Sequence, residues 1–475
     1  MAFSLYHARR ECLAALMIAS LKSYASIGKH IPVLAKKKQS EEAAKAENPS
    51  CPEDFNPLQE SCFQNPYAFY QMLRDDYPVY TLPNGVICIS RYEDIVALSR
   101  DVETFSSQHQ GIVANLKPGK DLLKQVKLFE TLVDLGLIPA DVLATSDQPD
   151  HNTERKVGHS GLNSRFVKSL ESDIEVLCQN MLTPLLAKGE VEFMQEFAWR
   201  LPMLLILRLL GLPEADYEII KNWCVDILAS QNGIQSSTDM ANSYAAALSF
   251  IRYCWRHYLK VKAAASDNLM GILAKAANNC DSDFSDKKAV SAIFQLIVAG
   301  SDSSATTMGN ALKLLIEKPD MQEKIKADMA LLPAFIEEVF RLESAFQGHF
   351  RWVKKDTQLH GVMLKRGSRI FLMWASGNRD ERFWPEPDKM QLSRKNGKKH
   401  LTFGHGIHAC IGRELARSEI RIVLKAFLQE TENLTITGKA PFVASMFART
   451  LVKLPISFTA KKWHNKHETL EQADS

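Results

Sequence analysis

Apolar residues recur at three- and four-residue spacing through 160–186, 195–211, 215–231, 238–263, 285–317, 320–329 and 333–344, the signature of amphipathic helices. Shorter runs rich in β-branched or aromatic residues at 78–90 and 369–374 predict strands. The chain therefore reads as mainly α with small β-sheets. Its longest periodic stretch opens behind Asp283-Phe284-Ser285-Asp286 and stops before Pro319. From Ser285 to Glu317 it predicts a helix of roughly 50 Å at 1.5 Å per residue. Midway lies Ala299-Gly300-Ser301-Asp302-Ser303-Ser304, which is locally poor helix. Glycine removes packing there, and serines bond carbonyls one turn back. A structural notch or kink would account for the cluster, and so would a place where the helix makes room for chemistry.

A second irregularity stands near the C-terminus. Phe403-Gly404-His405-Gly406-Ile407-His408-Ala409-Cys410-Ile411-Gly412 precedes the amphipathic run Arg413 to Leu428. A glycine-containing loop ahead of a helix suits a buried thiolate, because backbone amides and the positive helix end offset its charge. A lone cysteine in such a chain is ordinarily a small buried hydrophobe, so the surrounding spacing has to carry the case. Two further pairs share helix faces: Glu338 and Arg341 three apart, and His151 and Arg155 four apart.

Taken together, these segments resemble the cytochrome P-450 superfamily, the haem-thiolate monooxygenases, in its soluble bacterial form. The resemblance runs from about Asn56 to Ala460. It implies a single large catalytic domain with a long central helix over the haem. It implies that Cys410 ligates the iron, that Phe403 packs beside the sulfur and that His408 reaches a propionate of haem b. His151, Arg155 and Arg351 match further propionate contacts. Glu338 and Arg341 match a buried pair that braces the loop, and the third partner, Arg394 or Lys389, stays open. A lysine there would present a point charge in place of a planar fork. Asp302 matches the acid that relays protons to bound oxygen, and Ser303 stands where the family most often has threonine. Serine keeps the hydroxyl and loses a methyl, about 0.8 kcal/mol of burial.

Composition narrows the setting. With 58 basic and 55 acidic residues the net charge is +3, so no basic surplus points to nucleic acid. Nine cysteines, an odd count without zinc-ligand spacing, fit a reducing, cytoplasmic compartment. Lys398, Lys399, Arg413 and Arg417 flank the cysteine loop and form a candidate docking face for an acidic electron carrier. Their alternative reading is an ordinary solvated surface. The apolar stretch Cys12 to Leu21 behind Arg9-Arg10 is half the roughly 20 residues that span a bilayer. Glu11 at its edge and the lack of a small-residue cleavage site argue against a signal peptide. An interfacial helix giving residues 1–30 peripheral membrane contact, or a docking helix, are the two readings left. Lys36 to Lys45 reads as a charged linker or exposed helix, and the polar tail from Lys461 to Ser475 as disordered.

The expected organisation is an N-terminal extension over 1–55, a haem-thiolate domain over 56–460 and a tail over 461–475, in a monomer. The expected activity inserts one atom of O2 into a small or medium hydrophobic organic substrate. A separate ferredoxin- or flavodoxin-type donor would supply electrons that come ultimately from NAD(P)H. Val298, Ala299, Phe350, Met446 and Phe447 are the expected pocket walls, with 110–143 over the entrance. Two alternatives from other classes stand beside this: a peroxide-driven hydroxylase or haem-thiolate isomerase or dehydratase, and a non-catalytic haem sensor or carrier.

Overall fold

A computed structural model describes residues 10–11, 13–23, 49, 51–108, 132, 134–229, 237–264, 266–279 and 283–461. The charged stretch 36–45, the tail beyond 461 and residues 109–131 lie outside the described residues. The helices that frame the site are α1 (Tyr67–Asp76), α2 (Tyr92–Arg100), α3 (Asp150–Gly161), α4 (Glu171–Lys188), α5 (Arg200–Leu210), α6 (Tyr217–Ala229), α7 (Ser237–Ala264), α8 (Leu269–Ala277), α9 (Asp286–Glu317), α10 (Leu332–Leu342) and α11 (Arg413–Glu430).

The periodic stretch at 285–317 is α9, opened by the Ser285 hydroxyl, which accepts from the Lys288 N–H, and closed before Pro319. The stretch at 160–186 divides into three pieces. α3 ends at Gly161, Asn163 accepts from the Phe166 N–H to start a short helix, Ser164–Ser169, and α4 follows. Periodicity bridges such a break because the cap changes chain direction without changing which residues are apolar. The expected strand at 78–90 is a hairpin of β1 (Val79–Thr81) and β2 (Ile87–Ile89).

Further strands are β3 (Phe105–Ser106), β4 (Glu190–Glu192), β5 (His349–Val353), β6 (Thr357–Leu359), β7 (Val362–Leu364), β8 (Arg369–Leu372), β9 (Thr431–Ile436) and β10 (Pro455–Ala460). A five-stranded sheet runs β1-β2-β8-β5-β3, a three-stranded one β4-β10-β9, and β6 pairs with β7. Alternation along β8 sends Ile370 and Leu372 toward α2 and Trp384, and Phe371 toward Phe69 and Tyr70 of α1. The largest core lies between α4, α5, α6, α7, α9 and α11. α9 threads its middle: Ile293, Ile297, Met308 and Leu312 are all fully buried. Each such side chain contributes about 1.5–3 kcal/mol by leaving water. Among the described residues no helix is long and apolar enough to cross a membrane.

Candidate active site

The cysteine loop is a tight structure built on two left-handed glycines. Gly404 and Gly406 hold φ of +69° and +73°, and a Cβ on Gly406 would meet the Ser99 carbonyl oxygen at 2.4 Å. The loop closes on itself where the Cys410 N–H donates to the Phe403 carbonyl at 2.7 Å. Gly412 then caps α11, so the sulfur sits at the helix's positive end. Burial pushes the Cys410 thiol up, while the Gly412 N–H and the charges of Arg155, Arg413 and Arg417 pull the other way. The side chain remains half-buried, open on one side.

Behind the loop lies a buried ionic frame. Glu338 and Arg341 form a two-pronged pair at 2.7 and 2.8 Å with the guanidinium fully buried. Arg341 also donates to the carbonyls of Asn378, Pro387 and Lys389. Arg394 takes the third place, its Nε 3.2 Å from Glu338 Oε1. The Lys389 side chain turns out to Glu386, so only its backbone joins the frame. Next to it, Glu337 binds His400 at 3.1 Å and Arg417 at 2.7 Å. Burial alone would raise the Glu337 carboxyl, but these partners hold it at about 2. Arg417 in turn lies over the Phe403 ring, 4.9 Å from its centre. Arg417 therefore departs from the expected docking face, since it is committed inward. Lys398, Lys399 and Arg413 are exposed.

On α9, burial gives way at one place. Ala299 and Gly300 are exposed and Ser303 half-buried, although the helix is buried before and after them. A Cβ on Gly300 would meet nothing within 4 Å. With Gln295 one turn earlier these residues form an open stripe along an unbroken helix. The Ser303 hydroxyl donates to the Ala299 carbonyl at 2.8 Å. Asp302 is buried beside Cys224 of α6, and desolvation raises its carboxyl to about 7. Val298, expected on the wall, points into the core instead.

Sequence reasoning missed the partner of the next residue. Ser304 Oγ donates at 2.7 Å to Glu419 Oε2 of α11, and burial lifts this carboxyl to about 8. A signal was present: Glu419 lies four residues before Val423 and eight before Phe427, on the apolar stripe of α11. This contact ties α9 to α11 one residue after Ser303.

Beside the cysteine loop four basic side chains gather, His151, Arg155, Arg351 and His408. The rings of His151 and His408 approach to 4.6 Å. Both His151 ring nitrogens and Nδ1 of His408 are buried with no hydrogen-bond partner among the described residues. Arg351 donates only to its neighbour's carbonyl, and Arg155 reaches the Ala409 carbonyl at 2.6 Å. Burial and Arg351 push His408 down to about 3. Buried polar atoms rarely stay unpaired, so this corner fits a prosthetic group that carries carboxylates. Phe447, expected on the pocket wall, packs instead against Phe346 and His349, its ring centre 5.2 Å from that of His349. Phe350 does not join the corner. Strand alternation turns its ring to the opposite sheet face, under Arg369 at 3.6 Å and beside Phe371. Met446 packs in that same outer cluster.

Comparisons with known proteins agree with this arrangement. A family model described as Cytochrome P450 matches residues 250–455. The chain is 29% identical over 395 residues to "Cytochrome P450 144" of Mycobacterium tuberculosis, covering 83% of this chain and 89% of the relative. It is 28% identical over 403 residues to a "Cytochrome P450" of Bacillus subtilis, covering 82% and 94%. To the "Steroid C26-monooxygenase" of Mycobacterium tuberculosis it is 25% identical over 395 residues, covering 82% and 93%. Among solved structures, cytochrome P450 CREJ in complex with (4-ethylphenyl) dihydrogen phosphate superposes with a TM-score of 0.78 at 25% identity, over 86% of this chain and 100% of that one. The family model, the curated relatives and the solved structures together support the chain as a bacterial member of the cytochrome P450 superfamily. It is a haem-dependent monooxygenase, an oxidoreductase.

Proposed function

We propose that residues 56–460 form the catalytic domain, flanked by an extension over 1–55 and a tail over 461–475, and that it hydroxylates a small or medium hydrophobic molecule. Haem b bound here supplies the one-electron and O2 chemistry. Cys410 is the iron ligand in this reading. His151, Arg155, Arg351 and His408 hold the two carboxylates, which a protein interior accepts only when they are paired. Asp302 would store and pass a proton, and the Ser303 hydroxyl would offer a hydrogen bond on the open side of α9. The substrate class is argued from the open stripe, where Ala299 and Gly300 offer shape and Ser303 the nearest hydroxyl. Electrons come from a separate ferredoxin- or flavodoxin-type protein that meets Lys398, Lys399 and Arg413, and ultimately from NAD(P)H. The protein acts as a monomer in the cytoplasm.

The observation that carries this reading is the Cys410 sulfur at the start of α11 beside a buried set of unpartnered histidine nitrogens. Its test is the absorption spectrum of the dithionite-reduced protein under carbon monoxide, in the parent and in Cys410→Ser. The red-shifted Soret band of thiolate ligation is expected in the parent and absent from the variant. A spectrum indifferent to the substitution removes Cys410 from the iron. Turnover with peroxide and none with any reduced donor would move the assignment to a peroxide-driven hydroxylase.

A further inference from the structure

The apolar stretch behind Arg9-Arg10 has no part in the chemistry above, yet it is anchored beside it. Residues 10–11 and 13–23 are helical and run antiparallel to α7. At one end Glu11 Oε2 accepts from Arg252 Nε at 2.9 Å and Nη2 at 2.6 Å. At the other, Lys22 lies within electrostatic reach of Asp226, whose carbonyl takes the Ser243 hydroxyl. The Arg10 guanidinium lies over the Trp255 ring, 4.4 Å from its centre.

The same helix touches a second element. Trp255 Nε1 donates to the Gly136 carbonyl at 2.9 Å, and a Cβ on Gly136 would meet the indole at 3.0 Å. Ala14, fully buried, packs with Leu132, Leu137 and Leu248, and Met17 and Ile18 extend the contact. From there the chain runs directly to 140–146, a rim beside the open stripe of α9. The Ala140 N–H donates to Ser291 Oγ at 2.8 Å, and the Ala144 N–H to Gln295 Oε1 at 3.3 Å. Gln295 stands one turn before Ala299 on the open stripe. The Leu143 N–H donates at 2.9 Å to Glu154 of α3, the helix that carries His151 and Arg155.

We propose that the N-terminal helix is a clasp: by gripping α7 and the 132–138 segment together it holds the 140–146 rim in place and sets how readily a hydrophobic ligand reaches the open stripe of α9. The cluster it closes is separate from the main core, so it can part without unfolding the rest. Its tether, the Glu11–Arg252 pair, is partly open to water, with 31% and 21% of the two side chains exposed. The role given to the rim rests on the reading of the site above.

The test uses the full chain loaded with haem and compares the parent, Ala14→Glu and Leu16→Ser. The first variant places a charge in the apolar contact, and the second alters a residue on the outer face, 65% exposed. Stopped-flow binding of 4-phenylimidazole is followed at the Soret band, and amide hydrogen exchange over 13–21 and 132–146. In Ala14→Glu both segments should exchange faster, and the probe should bind and leave several-fold faster at unchanged haem content. Leu16→Ser should match the parent. If 13–21 loosens while 132–146 and the probe rates stay at parent values, the clasp is refuted. Should Ala14→Glu fail to assemble, Glu11→Ala and Arg252→Ala at the exposed tether carry the same expectation, and parent-like rates in both refute it. If thiolate ligation is absent, the site reading falls, and exchange over 132–146 alone still decides whether the helix holds that segment.

Discussion

Two carboxyls that burial makes harder to ionise flank the hydroxyls of Ser303 and Ser304, Asp302 on the α6 side and Glu419 on the α11 side. Only the first was legible in the sequence, because its motif is local, whereas the Ser304–Glu419 contact exists only once α9 crosses α11. Asp302→Asn is expected to lower kcat about 10²-fold, the usual worth of a positioned proton donor. Spectral Kd for substrate should stay unchanged, and a parent inflection near pH 7 should vanish. Retained kcat would remove the acid from the proton path. Glu419 makes a stability statement. The fold holds its proton up to about pH 8, while the unfolded chain releases it near the ordinary glutamate value. The native state therefore binds more protons between those values, and stability falls as pH rises through that window, by at most about 1.4 kcal/mol per unit. Glu419→Gln should flatten this slope, as read by urea unfolding at several pH values from acid to mildly alkaline. Identical slopes in parent and variant would mean the carboxyl ionises freely in the fold.

Among the elements, long helices were readable, and of the short strands β1, β2 and β8 were, within the runs at 78–90 and 369–374. The 285–317 and 238–263 periodicities match α9 and α7 almost to the residue, since amphipathic helices write their burial into the sequence. β3, β4, β6 and β7 span two or three residues each, too few for an alternation to register. β5 was missed as a strand, and with it the alternation that sends Phe350 and Arg351 to opposite faces. Within α10 the Glu338–Arg341 pairing was legible from spacing, but its third partner was not, because Arg394 against Lys389 depends on how the intervening turn folds. Glu338→Gln leaves Arg341 and Arg394 as uncompensated buried cations. It should cost about 3–5 kcal/mol, measured by denaturant titration, with parallel loss of retained haem. Arg394→Lys should cost less and leave the fold assembled, because Arg341 keeps both prongs on Glu338. Equal losses in the two variants would place Arg394 on a par with Arg341 in the frame.

At the scale of the whole molecule the net charge of +3 hides an uneven surface. Basic residues flank the cysteine loop, yet the four expected to form a docking face differ in kind. Arg417 is spoken for by Glu337, Glu414 and the Phe403 ring. Arg413 is half-exposed and lies 3.6 Å from Glu414, while Lys398 and Lys399 stand in water on a short turn packed against α10. A long-range attraction for an acidic donor should therefore come from the two lysines, and changing them should leave the ionic frame intact. Lys398→Glu with Lys399→Glu is expected to slow reduction by an acidic ferredoxin about tenfold at low salt, the lower end of what charge steering supplies. The gap should close as salt rises, because the Debye length falls to about 3 Å at 1 M. Reduction by dithionite, which needs no docking surface, should be equal in both proteins at every salt concentration. Arg417→Glu should behave differently, losing haem and stability before any docking effect can be read. If the lysine pair leaves the ferredoxin rate and its salt dependence untouched, the donor meets another face, and the basic crowding around the loop serves the buried carboxylate of Glu337.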